Sequence, residues 1–138
     1  MNEKKNRPIT GGMAVIECLK AYNIKYVFGL IGSATMEIFD ALYDEKDISF
    51  IDVRDERTGA HMADAFARAS GSPGVIIAGQ NGPGATNLVT GVAQAKAAFS
   101  PLLSIAGAIA SEHQGKDSFQ EVDQQKLFEP ITLSLIHI

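Results

Sequence analysis

Four short apolar runs, at residues 25–30, 48–53, 75–78 and 102–106, are continuous in hydrophobicity rather than alternating. Between them lie stretches whose apolar residues recur at helical spacing. A strand that is apolar on both sides must be covered on both faces, so the pattern predicts an α/β fold: a doubly wound parallel sheet with helices on each face. Helices are predicted at 10–23, capped by Thr10, at 35–43, capped by Ser33, at 57–69, and at 86–99. The last is closed by Ser100-Pro101, because proline disfavours helix in the residue before it. Ala14, Val15, Cys18, Leu19 and Tyr22 are assigned to the buried face of the first helix, and Met36, Phe39, Ala41 and Leu42 to that of the second. Beyond residue 110 the texture changes. Residues 111–118 are polar and aperiodic, and 119–127 are expected to form a short helix.

The connections after the second and third runs carry the residues most suggestive of chemistry. Glu56 follows the run 48–53 and opens an alanine-rich helical stretch, which places a carboxylate where a buried strand hands over to a helix. The segment Gly79-Gln80-Asn81-Gly82-Pro83-Gly84-Ala85-Thr86-Asn87 repeats that architecture after the run 75–78, with glycine and proline bending the chain. Two such corners in one parallel sheet imply one shared cleft.

The 138 residues, 46% of them hydrophobic, are enough for one domain with a sizeable core, and no linker or repeat divides them. A net charge of -4 argues against nucleic acid as a ligand, since such binders concentrate Lys and Arg on one face. The basic cluster is Lys4, Lys5 and Arg7, near the amino end. Cys18 is the single cysteine and is expected to be a packed thiol rather than a nucleophile. With no disulfide available within the chain, no signal-like segment and no apolar stretch near the ~20 residues that span a bilayer, the expected setting is cytoplasmic and away from membranes. Residues 1–132 are expected to form the domain. Residues 133–138, Leu-Ser-Leu-Ile-His-Ile, are expected to be a non-native tail: they follow, codon for codon, one reading frame of the transposon end used to fragment DNA for sequencing.

Several motifs then stand in a recognisable order: Val27-Phe28-Gly29; Asp55-Glu56 with Ala60-His61-Met62-Ala63-Asp64 and Ala67-Arg68-Ala69-Ser70-Gly71; Gly82-Pro83-Gly84-Ala85-Thr86-Asn87; and Phe119-Gln120-Glu121-Val122-Asp123. Together they resemble the pyrimidine-binding amino-terminal domain of thiamine-diphosphate enzymes of the acetolactate synthase group, over about residues 9–132. The implied fold is flavodoxin-like. Within the group, Ile31-Gly32-Ser33-Ala34, Gln80-Asn81 and Gln124-Gln125-Lys126-Leu127-Phe128-Glu129 look most like sulfoacetaldehyde acetyltransferase. Acetolactate synthases more often place Pro-Gly at 31–32 and Thr-Ser at 80–81, although Gly115-Lys116-Asp117 before Phe119 is similar to their version of that loop.

The resemblance implies thiamine diphosphate as cofactor and Glu56 as the catalytic residue. In that family a glutamate hydrogen-bonds the aminopyrimidine and favours the imino tautomer that removes the thiazolium proton. The chemistry needs a carboxylate in a poorly solvated site, where a charge-assisted hydrogen bond is short and strong. A bland alternative is an acidic residue that merely favours the helix dipole. Gly82, Pro83, Gly84 and Asn87 are implied as cofactor contacts beside Glu56. Their spacing fits neither the Walker pattern nor Gly-x-Gly-x-x-Gly, so no phosphate is expected there. The diphosphate and its magnesium are implied to sit on a separate carboxy-terminal domain, leaving no metal ligand to expect in this chain. Ile31, Gly32, Ser33, Gln80, Asn81, His113 and Gln120 are implied at the substrate end of the cofactor.

His113 has an acid-base or anion-binding reading and a merely solvated one. His61 is expected to pack in the core, and Phe119 to be a packing anchor. The activity implied first is conversion of sulfoacetaldehyde and phosphate to acetyl phosphate and sulfite. Its rival is acetolactate synthase chemistry, joining two 2-oxoacids with loss of carbon dioxide. A third reading, from another class, is a non-catalytic flavodoxin-like binding module. Because family active sites form between subunits, the full-length protein is expected to be a homodimer or homotetramer, and this chain alone to have no turnover.

Overall fold

A computed structural model describes residues 8–137. The cluster Lys4, Lys5 and Arg7, and Ile138 at the end of the tail, lie outside the described residues. Helix α1 (Gly11–Ala21) leads into β1 (Tyr26–Leu30), α2 (Met36–Tyr43), β2 (Ser49–Asp52), α3 (Glu56–Ser70), β3 (Gly74–Ala78), α4 (Pro83–Ala97), β4 (Leu102–Ala106) and the short α5 (Gln124–Phe128). The four strands form one parallel sheet in the order β2-β1-β3-β4. Phe28 at its centre is in register with Ile51 of β2 and Ile76 of β3. The doubly wound parallel sheet read from the apolar runs is the one the backbone adopts, in an order that suits the flavodoxin-like fold the resemblance implied.

Successive side chains of a strand point to opposite faces, and both faces here are covered. Val27, Val75 and Ile77 pack with Ile16 and Leu19 of α1 and Phe39 and Leu42 of α2. Phe28, Ile76 and Ala78 face the other way, among Ala60 and Ala63 of α3, Ala85, Leu88 and Val92 of α4, and Phe128. This is why the runs are continuous on the central strands: Val27 and Phe28 of β1 and Val75 to Ala78 of β3 are buried whichever face they point to, whereas Ser49, Asp52 and Leu103 on the edge strands stay exposed. On the α3/α4 side the helices are lined with alanine and glycine. An added Cβ on Gly91 would overlap Ala60, so the two helix backbones approach closely.

Local chemistry explains most boundaries. Thr10 accepts the Met13 N–H at 3.2 Å and starts α1. Asp55 accepts the Arg57 N–H at 2.8 Å and starts α3, which stops at Gly71 in the left-handed region (φ 70°). Other expectations are corrected. The buried residues of α1 are Gly12, Ile16 and Leu19, whereas Cys18 is exposed and Tyr22 is 81% exposed. The cause is Gly12, which has no side chain to register in hydrophobic periodicity. It lies against the Glu37 backbone of α2 so closely that any Cβ would overlap, on the same helical stripe as the buried Ile16 and Leu19.

Ser33 caps no helix. Residues Ser33–Thr35 form a 3-10 turn before α2, and the Ser33 hydroxyl is used elsewhere. Helix α4 begins at Pro83, three residues earlier than read, because proline suits the first helical position, where its missing N–H would have no partner. The expected helix at 119–127 is confined to 124–128. Gln120 is left-handed at φ 59°, which excludes it from a helix, and the Asp123 side chain caps the turn that follows. Phe119 is 79% exposed, and the anchor is Phe128, 5% exposed. His61 is half-buried on α3. Residues 133–137 form neither helix nor strand, and no helix among the described residues is long and apolar enough to cross a membrane.

Candidate active site

The order β2-β1-β3-β4 makes the connections after β1 and after β3 diverge in opposite directions, which opens a crevice at the carboxyl ends of those two strands. Their backbones meet there. Cβ atoms added at Gly32 or Gly79 would each overlap the other corner, so only glycine fits at either position. The Ala34 N–H donates to Gly79 O at 3.0 Å, and the buried Thr35 hydroxyl lies 3.3 Å from both Ala78 O and Gly79 O. Thr35 was not among the residues picked from sequence, since a threonine after a strand carries no distinguishing pattern.

Glu56 is the first residue of α3 and is 5% exposed. Its Oε2 accepts from Asn87 Nδ2 at 3.0 Å, which joins the corner after β2 to the helix after β3. Its Oε1 faces Gly84, where an added Cβ would come within 3.1 Å. No Lys or Arg pairs with this carboxylate among the described residues. A buried anion held by one neutral donor and a helix amino terminus is costly to keep, and sites of this kind are where chemistry is done.

The second cluster is built from amides. Ser33 Oγ donates to Gln80 Oε1 at 2.7 Å, Gln80 Nε2 donates to Asn81 Oδ1 at 3.0 Å and to Gln120 Oε1 at 2.8 Å, and Asn81 Nδ2 donates to Phe119 O at 3.0 Å and Gln120 O at 3.1 Å. Gly82, at φ 51°, packs against Gln120 O, so the loop at 119–120 is fastened onto the corner after β3. Gly84 stands between the two clusters, 3.1 Å from Glu56 Oε1 and 3.4 Å from Gln80 Cβ by its added-Cβ position.

An open cleft of about 510 Å³ lies beside the amides, lined by Ser33, Ala34, Asn81, Ala108, Ile109, Ala110, His113, Ser118 and Phe119. Thus Ser33, Asn81 and His113 share one cleft, and Gln80 and Gln120 are hydrogen-bonded to two of its lining residues, Ser33 and Asn81. Ile31 is 56% exposed and does not line it, and Pro83 is exposed. His113 is exposed, on the 3-10 turn Ser111–His113.

The loop that carries Ser118 into the cleft is held by Glu121, a residue the sequence motif contains but to which no role was assigned. Its Oε1 accepts the Gly115 N–H at 2.6 Å and its Oε2 the Ser118 N–H at 3.0 Å. These bonds, that from Gly115 first, hold its carboxyl below the usual carboxylate range. Lys116 donates to Glu112 O at 2.6 Å, and Asp117 is left-handed at φ 51°. Among the described residues, no three His, Cys, Asp or Glu side chains lie together in a metal-binding group.

The sequence pattern of the thiamine pyrophosphate enzyme, N-terminal TPP binding domain, matches residues 9–127, which span every strand and both clusters. The chain belongs to this family. It is 48% identical over 122 residues to a probable acetolactate synthase large subunit of Methanocaldococcus jannaschii, covering 88% of this chain and 20% of that protein. Against the acetolactate synthase large subunit of Cyanidium caldarium it is 46% identical over 127 residues, covering 89% and 22%. Against isozyme 3 of Escherichia coli it is 39% identical over 123 residues, covering 89% and 21%. The chain therefore spans about a fifth of the length of the curated relatives it matches. As a TPP-binding domain of the acetolactate synthase group it has thiamine diphosphate as its cofactor. The expected likeness to sulfoacetaldehyde acetyltransferase in particular has no support from these relatives, all three of which carry the rival name.

Proposed function

We propose that this chain is the amino-terminal, pyrimidine-binding part of an acetolactate synthase, with Glu56 as its catalytic residue. The observation that carries the proposal is the Glu56 carboxylate: 5% exposed, bonded through one oxygen to Asn87 at 3.0 Å, its other oxygen turned toward Gly84. The donor set suits an aminopyrimidine. Asn87 fixes the carboxylate's orientation, and the missing side chain at Gly84 leaves Oε1 open to a ring nitrogen.

When bound, thiamine diphosphate supplies a thiazolium carbon that adds to the carbonyl of a 2-oxoacid. The role of Glu56 is to hold a proton between Oε1 and a pyrimidine nitrogen, in a site dry enough to make that charge-assisted bond strong. Gly82, Pro83, Gly84 and Asn87 shape the seat for the ring. Ser33, Gln80, Asn81, Gln120 and His113, with the backbone of Ile31 and Gly32, border the side where the 2-oxoacid enters. The diphosphate and magnesium are assigned to a carboxy-terminal domain, and the complete site to two subunits of a cytoplasmic homodimer or homotetramer. The domain is assigned to residues 1–132, with 133–138 as a non-native tail.

The names of the relatives favour 2-oxoacid condensation over the sulfoacetaldehyde reaction. Parallel assays of the full-length enzyme test the choice, following carbon dioxide release from pyruvate and sulfite release from sulfoacetaldehyde with phosphate. Turnover of pyruvate is expected. Sulfite release without pyruvate turnover would restore the sulfoacetaldehyde reading, and activity in neither assay would favour the non-catalytic module.

A further inference from the structure

We propose that Gln80 and Asn81 are positioning residues that fix which way the Gln120 amide faces, so that its NH2 group is presented outward as a donor. The direction is set by two groups that can only accept. Asn81 lies 3.0 Å from the carbonyl oxygen of Phe119 and 3.1 Å from that of Gln120, so its Nδ2 must point at them and its Oδ1 must point at Gln80. An acceptor at 3.0 Å demands a donor, so Gln80 presents Nε2 there. The same Nε2 reaches Gln120 at 2.8 Å and forces that amide to present Oε1 inward. Gln80 Oε1 is then left to accept the Ser33 hydroxyl at 2.7 Å. Both Nε2 hydrogens of Gln80 are thereby used, whereas Nε2 of the half-buried Gln120 has no partner among the described residues.

A hydroxyl at 80 or 81 would rotate, donate or accept, and transmit no direction; two amides in series transmit one. The backbone is held for the same end. Gln120 sits at φ 59°, a region that side-chain-bearing residues rarely adopt, and it stays there because Asn81 holds the carbonyls of 119 and 120. The ligand such a group suits is an acceptor oxygen, as in the carboxylate of a 2-oxoacid. That last step rests on the function proposed above; the orientation itself does not.

The experiment is side-chain amide hydrogen exchange, measured by NMR on the 15N-labelled chain. The NH2 groups of Gln80 and Asn81 should exchange about tenfold more slowly than that of Gln120, the factor that one net hydrogen bond confers. Gln120 exchanging as slowly as Gln80 overturns the proposal. In Gln80→Glu, which keeps shape but offers only acceptors, Gln120 must turn its NH2 inward, and its exchange should slow by about tenfold. Unchanged Gln120 exchange in the folded variant also overturns it. In the full-length enzyme the same substitution should raise KM for pyruvate by about tenfold, more than it lowers kcat. An unmoved KM refutes the positioning role. If pyruvate is not a substrate at all, the function proposed above fails while the exchange measurements still decide the orientation.

Discussion

Asn87 donates to Glu56 across 3.0 Å, and this one bond ties the start of α3 to the first turns of α4 over the carboxyl edge of the sheet. It brings together two corners that lie 31 residues apart in the chain. It also leaves Glu56 a carboxylate with one oxygen satisfied and the other without a hydrogen-bond partner among the described residues.

Replacing Glu56 with Gln separates stability from chemistry. The Asn87 bond can persist to the new carbonyl, while the buried charge disappears, so the isolated chain should gain about 1 kcal/mol, or roughly 3 °C in Tm. In the full-length enzyme the thiazolium proton should exchange about 30- to 1000-fold more slowly, the loss expected for about 2 to 4 kcal/mol of charge-assisted bonding in a dry site. Calorimetry and cofactor proton exchange by NMR measure the two effects, and wild-type exchange in the variant would remove Glu56 from its proposed role.

Asn87→Ala takes away the one side-chain donor to the Glu56 carboxylate among the described residues. The buried carboxylate is then unpaired, and the chain should lose about 1 to 3 kcal/mol in urea unfolding. Combined with Glu56→Gln, the loss should shrink, because the pair is coupled.

Gly91→Ala tests the close approach of α3 and α4. Alanine favours an isolated helix by about 1 kcal/mol over glycine, but here the methyl would overlap Ala60 and crowd the His61 backbone nitrogen, 3.2 Å away. The steric term, about 1 to 3 kcal/mol, should win, and unfolding should show a net destabilisation.

Glu121 makes the cleft wall sensitive to acid. Its folded carboxyl is held below its ordinary value of 4.5 by the N–H groups of Gly115 and Ser118. The wall is therefore fully braced above the ordinary carboxylate range, and the bracing is lost as pH falls through the lower folded value. Amide exchange of Gly115 and Ser118, corrected for intrinsic rates, should lose protection as pH falls below the ordinary carboxylate range. In Glu121→Gln the protection should be weaker at neutral pH and no longer vary with acid.

The α/β class, the parallel sheet, the strand positions and the two corners were legible in the sequence because they depend on short-range pattern. A strand buried on both sides must be apolar throughout, as at Val75, Ile76 and Ile77, and a corner between strand and helix needs residues such as Gly82 and Pro83. Glu56 stood out for the same reason, by its place between strand and helix. What the sequence did not carry was decided by contacts between segments distant in the chain. Gly12 is a buried position of α1 with no side chain, so the hydrophobic period showed only Ile16 and Leu19 of the three buried positions, and Cys18 is exposed rather than packed. Gln120 leaves the predicted helix because Asn81, 39 residues earlier, holds its carbonyl oxygen. The direction of each amide in that cluster, and the single bond that orients Glu56, exist only once the sheet has set these corners side by side, since a hydrogen bond depends on position and angle that no local pattern specifies.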